Sequence, residues 1–191
     1  MGLILASASP RRKELLSRMG LDFVVRTADC DETLDPLAAP EDEVARLSLL
    51  KAHSVLPLCD PNDVIVAADT IVVCDSLMMG KPHSHDDAFS MLRRLSGREH
   101  KVMTGLTVLS NNNQQTVTVT TGVRMRQLSD EEILAYIASG EPMGTAGAYA
   151  VQGLAAMFIA GIDGDYYNVV GLPVCTLTTI LRKCGIKPLG V

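Results

Sequence analysis

The sequence carries no excess of positive charge, no C-x-x-C pair, no apolar run of transmembrane length and no internal repeat or low-complexity tract. Each absence removes a class of function. Seventeen lysines and arginines against 22 aspartates and glutamates leave a formal net charge of −5 and a pI near 5.3. A nucleic-acid backbone is a poor partner for such a surface, so any anion site must be a local gathering of Arg and Lys. Without a span of about 20 apolar residues, no membrane partner is expected. Cys30, Cys59, Cys74, Cys175 and Cys184 are odd in number and scattered, and no His stands at zinc-ligand spacing. They read as reduced thiols, neither a disulfide frame nor a zinc site. Ala6-Ser7-Ala8 has the small residues of a signal-peptidase site, but no basic segment precedes it and the apolar run is too short for a signal core. A cytoplasmic location is therefore expected. What is abundant is core: 47% hydrophobic residues in a chain of 191 suit one domain over 1–191, whole or in two lobes, better than two independent domains.

The most informative stretch is Leu3 to Gly20, LILASASPRRKELLSRMG. Leu3 to Ala6 predicts a short buried strand. Ser7-Ala8-Ser9-Pro10 predicts a turn opening a helix, with Ser9 at the N-cap and Pro10 at the first helical position. Leu15, Leu16 and Met19 fall on one face, and Gly20 suits the left-handed cap. Arg11 and Arg12 then sit in the first turn, beside unpaired N–H groups and the positive end of the dipole, where a cation is disfavoured by up to about 1 kcal/mol. An anion removes the conflict. Free N–H donors and bidentate forks converging on one point make Ser7, Ser9, Arg11 and Arg12 a candidate phosphate site. The plainer reading is a surface helix that happens to begin with arginines.

Downstream, Asp22 to Arg26 predicts a second strand, followed by the acidic loop Asp29-Cys30-Asp31-Glu32-Thr33. Acidic loops are commonly just solvated; close behind a phosphate site, Glu32 is also a candidate metal ligand or water-orienting group. A helix is expected over Glu41 to Leu56, with Glu41, Asp42 and Glu43 in its first turn, as the dipole prefers. Val44, Leu47 and Lys51 share one stripe of it, so Lys51 either snorkels to the rim or reaches phosphate on its long stem. Val64 to Cys74 is a β-branched run in which Asp69 is the one charge. An ionised carboxylate there is costly without a cation or hydrogen bonds to receive it, which makes Asp69 the leading catalytic candidate. The alternative is an aspartate capping a turn at a strand end.

Asp75, Ser76 and Gly80 are expected to form the next turn, and Gly80-Lys81-Pro82 presents a lysine on a stiff loop. Ser84 to Asp87 opens a third helix with Ala88, Met91, Leu92 and Leu95 inward and Gly97 at its end. His100 to Arg126 alternates as an antiparallel hairpin turning at Asn111-Asn112-Asn113, which makes the sheet mixed. Ser129 to Glu132 is a capping box for a helix that buries Ile133, Leu134, Tyr136 and Ile137 and stops at Gly140. EPMGTAGAYAVQG, from Glu141 to Gly153, is rich in small residues that let a base or sugar approach backbone closely. Within it, Gln152 carries the two donors and one acceptor of an amide that can read a base edge. A strand from Ala156 to Ile162 and a last helix to Cys184 complete the chain.

SASPRR, Asp31-Glu32-Thr33, Lys51-Ala52, Ala68-Asp69-Thr70, Gly80-Lys81-Pro82, AGAYAVQG and GDYYNVVGLP follow one another over essentially the whole chain. In that order and spacing the set resembles the Maf (septum-formation protein) family of nucleotide pyrophosphatases. The resemblance implies an α/β fold: an elongated mixed sheet flanked by helices, in two lobes around a cleft, similar to the inosine-triphosphate pyrophosphatases. The family is often dimeric, so a homodimer is implied too. So is a nucleoside triphosphate substrate, cut between the α and β phosphates to a monophosphate and pyrophosphate with a divalent cation, Mg²⁺ or Mn²⁺. Asp69 matches the family's proposed proton acceptor, and Glu32, Lys51 and Lys81 match further cleft residues. Arg12, Thr70 and Gln152 match positions linked to substrate choice, in the pattern of the dTTP/UTP branch and not of the 7-methyl-GTP branch. On this reading Glu32 and Asp69 hold the metal, while Arg11, Arg12, Lys51 and Lys81 neutralise the triphosphate. Gly144-Thr145 departs from the family's Asp-Lys ahead of Ala-Gly-Ala-Tyr, removing a carboxylate and a positive charge. Two rivals therefore stay open: the same chemistry on other or modified nucleotides, and a nucleotide-binding regulator of cell division with little turnover.

Overall fold

Ten of the eleven residues of Val64–Cys74 are buried, and a strand with apolar groups on both faces must be covered on both. The computed structural model, which describes residues 2–27, 29–110 and 113–190, makes this run strand β3. On one side β1 (Leu3–Ala6) lies parallel to it with Ile4 opposite Ile65, and β2 (Val24–Arg26) lies parallel to β1 with Ile4 opposite Val24. On the other side follow β5 (Glu99–Ser110), β6 (Asn113–Met125) and β7 (Ile159–Asp163), the last antiparallel to β6. β4 (Leu77–Met79) pairs antiparallel with the end of β3. Among the described residues this is a mixed seven-stranded sheet of order β2-β1-β3-β5-β6-β7, with β4 off that path. The helices are α1 (Pro10–Arg18), α2 (Pro40–Val55), α3 (His85–Leu95), α4 (Asp130–Ala138), α5 (Tyr166–Val170) and α6 (Val174–Lys183). The expected mixed α/β class is the class observed.

The chain divides into two compact units, Met1–Asp69 with Thr104–Val119 and Gly171–Val191, and Thr70–Met103 with Thr120–Val170. In the first, Ile4 and Ala6 of β1, Ile65 and Ala67 of β3, Ala52 and Val55 of α2 and Leu109 of β5 form one core cluster. Gly105 lets α2 settle on β5, because a Cβ there would lie 2.0 Å from the Val44 carbonyl oxygen. In the second, Arg93 of α3 donates to the Leu128 carbonyl at 2.8 Å. Tyr136 of α4 meets Phe158 edge to face with centroids 5.3 Å apart.

Several expectations are corrected. β2 starts at Val24, not Asp22; it is a short edge strand with two of its three residues exposed, a form that discourages further pairing. Gly80 is not in the turn after β3. Asp75 and Ser76 take positive φ (50° and 64°), the twist of a two-residue hairpin turn, and β4 follows at once. The capping box at Ser129 is as expected, but Leu134 is 57% exposed, since the narrow stripe Ile133-Tyr136-Ile137 covers the core. Leu154–Phe158 is 3-10 turn, so β7 begins only at Ile159. Helix α5 arises where the Asp165 carboxylate accepts from the N–H groups of Tyr167 (2.8 Å) and Asn168 (3.3 Å). Of the expected Asn turn, Asn111 and Asn112 lie outside the described residues, and Asn113 already belongs to β6.

Candidate active site

Two turns after Val44, the apolar stripe of α2 is interrupted by Lys51, 6% exposed, before it continues to Val55. Lys51 Nζ lies 2.5 Å from Asp69 Oδ1 and 2.8 Å from Glu32 Oε2. Of the two readings left open by the sequence, burial removes the first. The ammonium does not snorkel to the rim, and its near partners are two carboxylates. Asp69, 8% exposed, thereby receives the cation that a charge inside an apolar strand requires. The Glu32 side chain remains 46% exposed, so the triad is dry at Asp69 and wet at Glu32.

α2 also fixes the loop that carries Glu32. Glu43, 1% exposed, accepts from Asp35 N at 2.8 Å, from Arg46 Nε at 2.8 Å and from Arg46 Nη2 at 2.7 Å. Arg46 Nη2 donates in addition to the Thr33 carbonyl at 3.2 Å. Within the loop, Asp31 Oδ1 accepts from Thr33 N at 2.9 Å and from Thr33 Oγ1 at 2.6 Å. Arg46 holds the Glu43 carboxyl below its usual value. A first-turn glutamate has a sufficient local explanation in the helix dipole, which is why sequence reasoning passes over Glu43 as an anchor. The available signal is its place four residues before Leu47, on the edge of the apolar stripe.

At the start of α1, Ser9 is the N-cap as expected, its Oγ accepting from Arg12 N at 3.5 Å. Ser7 Oγ accepts from Ser9 N at 3.2 Å and from Arg12 Nη1 at 3.3 Å, and Arg12 Nε donates to the Gly171 carbonyl at 2.8 Å. Arg12 is thus buried and braced by protein. Burial lowers its pKa, the negative charges of Asp69 and Glu32 oppose that, and the like charge of half-buried Arg11 assists it. The structure therefore gathers Ser7, Arg11, Arg12, Glu32, Lys51 and Asp69 into one electrostatic neighbourhood of the first unit. Gly171, the brace for Arg12, has no assigned role in the sequence reading, although GDYYNVVGLP contains it. The Cys30 thiol nearby is pushed up by partial burial and by Glu32, with Lys51 opposing, which mutes thiolate chemistry.

The remaining candidates belong to the second unit. Thr70, half-buried, directly follows Asp69 in β3; Lys81 is exposed beyond β4; Gln152 is exposed in its loop. Gly147 at φ 66° joins two of these segments, its N–H donating to the Gly80 carbonyl at 3.0 Å, while a Cβ there would lie 2.6 Å from Val72 Cγ2. Thr145 is buried and its Oγ1 donates to the Pro142 carbonyl at 2.8 Å, so it turns inward. His100 is also inward, with Nε2 2.8 Å from Tyr149 Oη, and burial pushes its pKa down to about 4.

Among the described residues no three His, Cys, Asp or Glu side chains are gathered as metal ligands. Two carboxylates, Glu32 and Asp69, nevertheless converge on one cationic point. That donor set does not make a closed cage, but it fits a magnesium-like ion, which keeps several waters and takes one or two carboxylates together with substrate phosphates.

The chain is similar to known proteins over nearly its whole length. The dTTP/UTP pyrophosphatase of Vibrio parahaemolyticus serotype O3:K6 is 47% identical over 183 residues, covering 96% of this chain and 97% of that protein. The dTTP/UTP pyrophosphatase of Alkaliphilus metalliredigens is 48% identical over 183 residues, 95% of each. Among solved structures, the Staphylococcus aureus Ham1 protein superposes with a TM-score of 0.52 over 96% of this chain and 99% of its own, at 12% identity, a likeness of fold alone. Maf-like protein is the family whose pattern matches, over residues 2–184. A match that runs through both units, with relatives this similar over nearly their full length, leads to one conclusion: the chain belongs to the Maf-like protein family.

Proposed function

We propose that this chain is a nucleoside triphosphate pyrophosphatase acting on dTTP and UTP. The observation that carries the reading is the buried Asp69 carboxylate, paired with Lys51 Nζ at 2.5 Å in the same electrostatic neighbourhood as the Arg12 guanidinium. Water attacks the α-phosphorus, Asp69 accepts its proton, and the bond from that phosphorus to the bridging oxygen breaks so that pyrophosphate leaves. Lys51 acts through the carboxylates, pairing with Asp69 and placing Glu32 beside it. Arg11, Arg12 and Lys81 receive the negative charge of the triphosphate, with Ser7, Ser9 and the N–H groups at the start of α1 completing the phosphate cradle. Glu32 and Asp69 are the residues that would hold Mg²⁺ or Mn²⁺. Bound there with phosphate oxygens, the ion supplies charge neutralisation and a fixed template. Thr70 and Gln152 face substrate choice, Gln152 through its amide on the base edge. The chain works as one two-lobed domain, in the cytoplasm and as a homodimer.

Replacing Asp69 by Asn tests this directly. Pyrophosphate release from dTTP and UTP, measured with and without Mg²⁺ or Mn²⁺, should vanish while the melting curve stays cooperative; an active, metal-dependent Asn variant would overturn the assignment. A second reading has its own motive. Gly144-Thr145, with Thr145 turned inward, offers no charge to phosphate, as a nucleotide-binding regulator with little turnover requires. Tight dTTP or UTP binding by the native chain without pyrophosphate release would favour it.

A further inference from the structure

Gln152 lies in a loop held at both ends by one pair of side chains. α4 ends at Ala138, and Gly140, with a left-handed φ of 78°, turns the chain so that Tyr136 Oη donates to Glu141 Oε1 at 2.8 Å. Before Gln152, Ala150 N donates to Tyr136 Oη at 3.1 Å. After it, Leu154 N donates to Glu141 Oε2 at 3.0 Å and Ala155 N to Glu141 Oε1 at 3.4 Å. Gly153 makes room for the carboxylate, since a Cβ there would stand 2.2 Å from Glu141 Oε2. Tyr136 is itself immobilised: it is 4% exposed and edge to face with Phe158. Two coupled side chains thus pin the backbone on either side of an exposed glutamine.

An amide selects a base only if it is held within about 0.5 Å of the productive geometry, and a six-residue turn containing glycine does not hold itself. Bonds to a carboxylate are roughly twice as strong as neutral ones, so Glu141 suits the task. The matching ligand chemistry is a pyrimidine edge with an N3–H donor between two carbonyl oxygens, as in thymine and uracil, which pairs with an amide oxygen and NH₂ group. Cytosine, with an acceptor at N3 beside a donor at N4, is matched only by the amide turned over, so the choice between the two edges depends on the amide being held in one orientation.

We infer that Tyr136 and Glu141 are positioning residues that set the preference for the thymine and uracil edge through Gln152, an inference that rests on the base-reading role proposed for Gln152. The experiment is steady-state pyrophosphate release from dTTP and from dCTP by the full chain, comparing native protein with Tyr136→Phe, Glu141→Gln, Gln152→Ala and the double variant Tyr136→Phe/Gln152→Ala. Tyr136→Phe should lower kcat/KM for dTTP about tenfold, the scale of one unmet buried hydrogen bond, chiefly through KM, with dCTP nearly unchanged. Glu141→Gln, which keeps one acceptor oxygen but turns an NH₂ group towards a backbone N–H, should lower the dTTP/dCTP ratio at least as far as Tyr136→Phe. The double variant should be no worse than Gln152→Ala alone. Equal losses on both nucleotides, or losses that add in the double variant, would mean mere scaffolding and overturn the inference. Should Tyr136→Phe fail to melt cooperatively, Glu141→Gln decides by the same ratio. A Gln152→Ala variant with an unchanged dTTP/dCTP ratio refutes the base-reading role itself, and the inference with it. A Gln152→Ala ratio that collapses while Tyr136→Phe and Glu141→Gln keep theirs refutes only the inference.

Discussion

Lys51 and Asp69 form a buried ion pair, Nζ to Oδ1 2.5 Å, with side chains 7% and 11% exposed. Such a pair adds little over two well-packed apolar groups, yet removing one partner strands a charge and costs about 3–5 kcal/mol. Lys51→Met should therefore lower the melting temperature markedly and abolish pyrophosphate release, because Asp69 and Glu32 lose the cation between them. Lys51→Met/Asp69→Asn should recover most of the lost stability and none of the activity. Thermal melts and pyrophosphate assays on both variants check this; a single variant as stable as the native chain would contradict it.

Glu43 is predicted to matter through Glu32. Its carboxylate holds Asp35 N and Arg46, and Arg46 holds the Thr33 carbonyl, so Glu43→Gln should loosen the loop and leave Asp69 in place. Partners one step behind a metal ligand typically change metal affinity about 10- to 100-fold. The Mg²⁺ concentration for half-maximal pyrophosphate release should accordingly rise about tenfold or more, with activity largely restored at saturating metal. Loss that no metal concentration restores would sink the idea.

Acid should destabilise the protein through His100. Burial pushes its pKa down to about 4, whereas the unfolded imidazole titrates near 6.5. Between those values the unfolded chain binds more protons than the native one, so stability is full above the unfolded value and is lost as pH falls towards the folded one. The loss from this group amounts to about 3 kcal/mol. Urea unfolding at pH 7 and pH 4 should show that much less acid loss in His100→Gln than in the native chain. Equal losses in the two proteins would place the acid sensitivity elsewhere.

Much of this was legible from local rules. Leu3–Ala6, the Ser9 cap, Val64–Cys74 and the Ser129 capping box each depend on neighbours a few residues away, and each stands where expected. β4 was hidden because Asp75-Ser76 takes a turn conformation that Asn-Gly more often announces, and α5 because its cap is one aspartate in a loop rich in aromatics. Asp69 and Lys51 were visible as candidates because each breaks an apolar pattern. Their pairing was not, since residues 18 apart on a helix and a strand have no distance until the fold brings them together. The same holds for Arg12 and the Gly171 carbonyl, 159 residues apart.

Gly105 ties the last prediction to the site, for it sets how closely the helix bearing Lys51 approaches β5. A Cβ at Gly105 would meet the Val44 carbonyl oxygen at 2.0 Å, the Val44 carbonyl carbon at 2.3 Å and Ala45 N at 2.8 Å. These are backbone atoms of a helix, so no rotamer change relieves the clash and α2 as a whole must move outward. Overpacking of this kind costs about 1–3 kcal/mol. The same shift draws Lys51, seven residues along α2, away from Asp69, and catalytic groups must be held within about 0.5 Å of their productive geometry. Gly105→Ala should therefore lower both the melting temperature and kcat for dTTP. Ala52→Gly, which thins the same helix at a core position without pushing it outward, should lower stability with a far smaller effect on kcat. If both variants lose kcat only in proportion to stability, α2 serves as scaffold and its approach to β5 does not tune the ion pair.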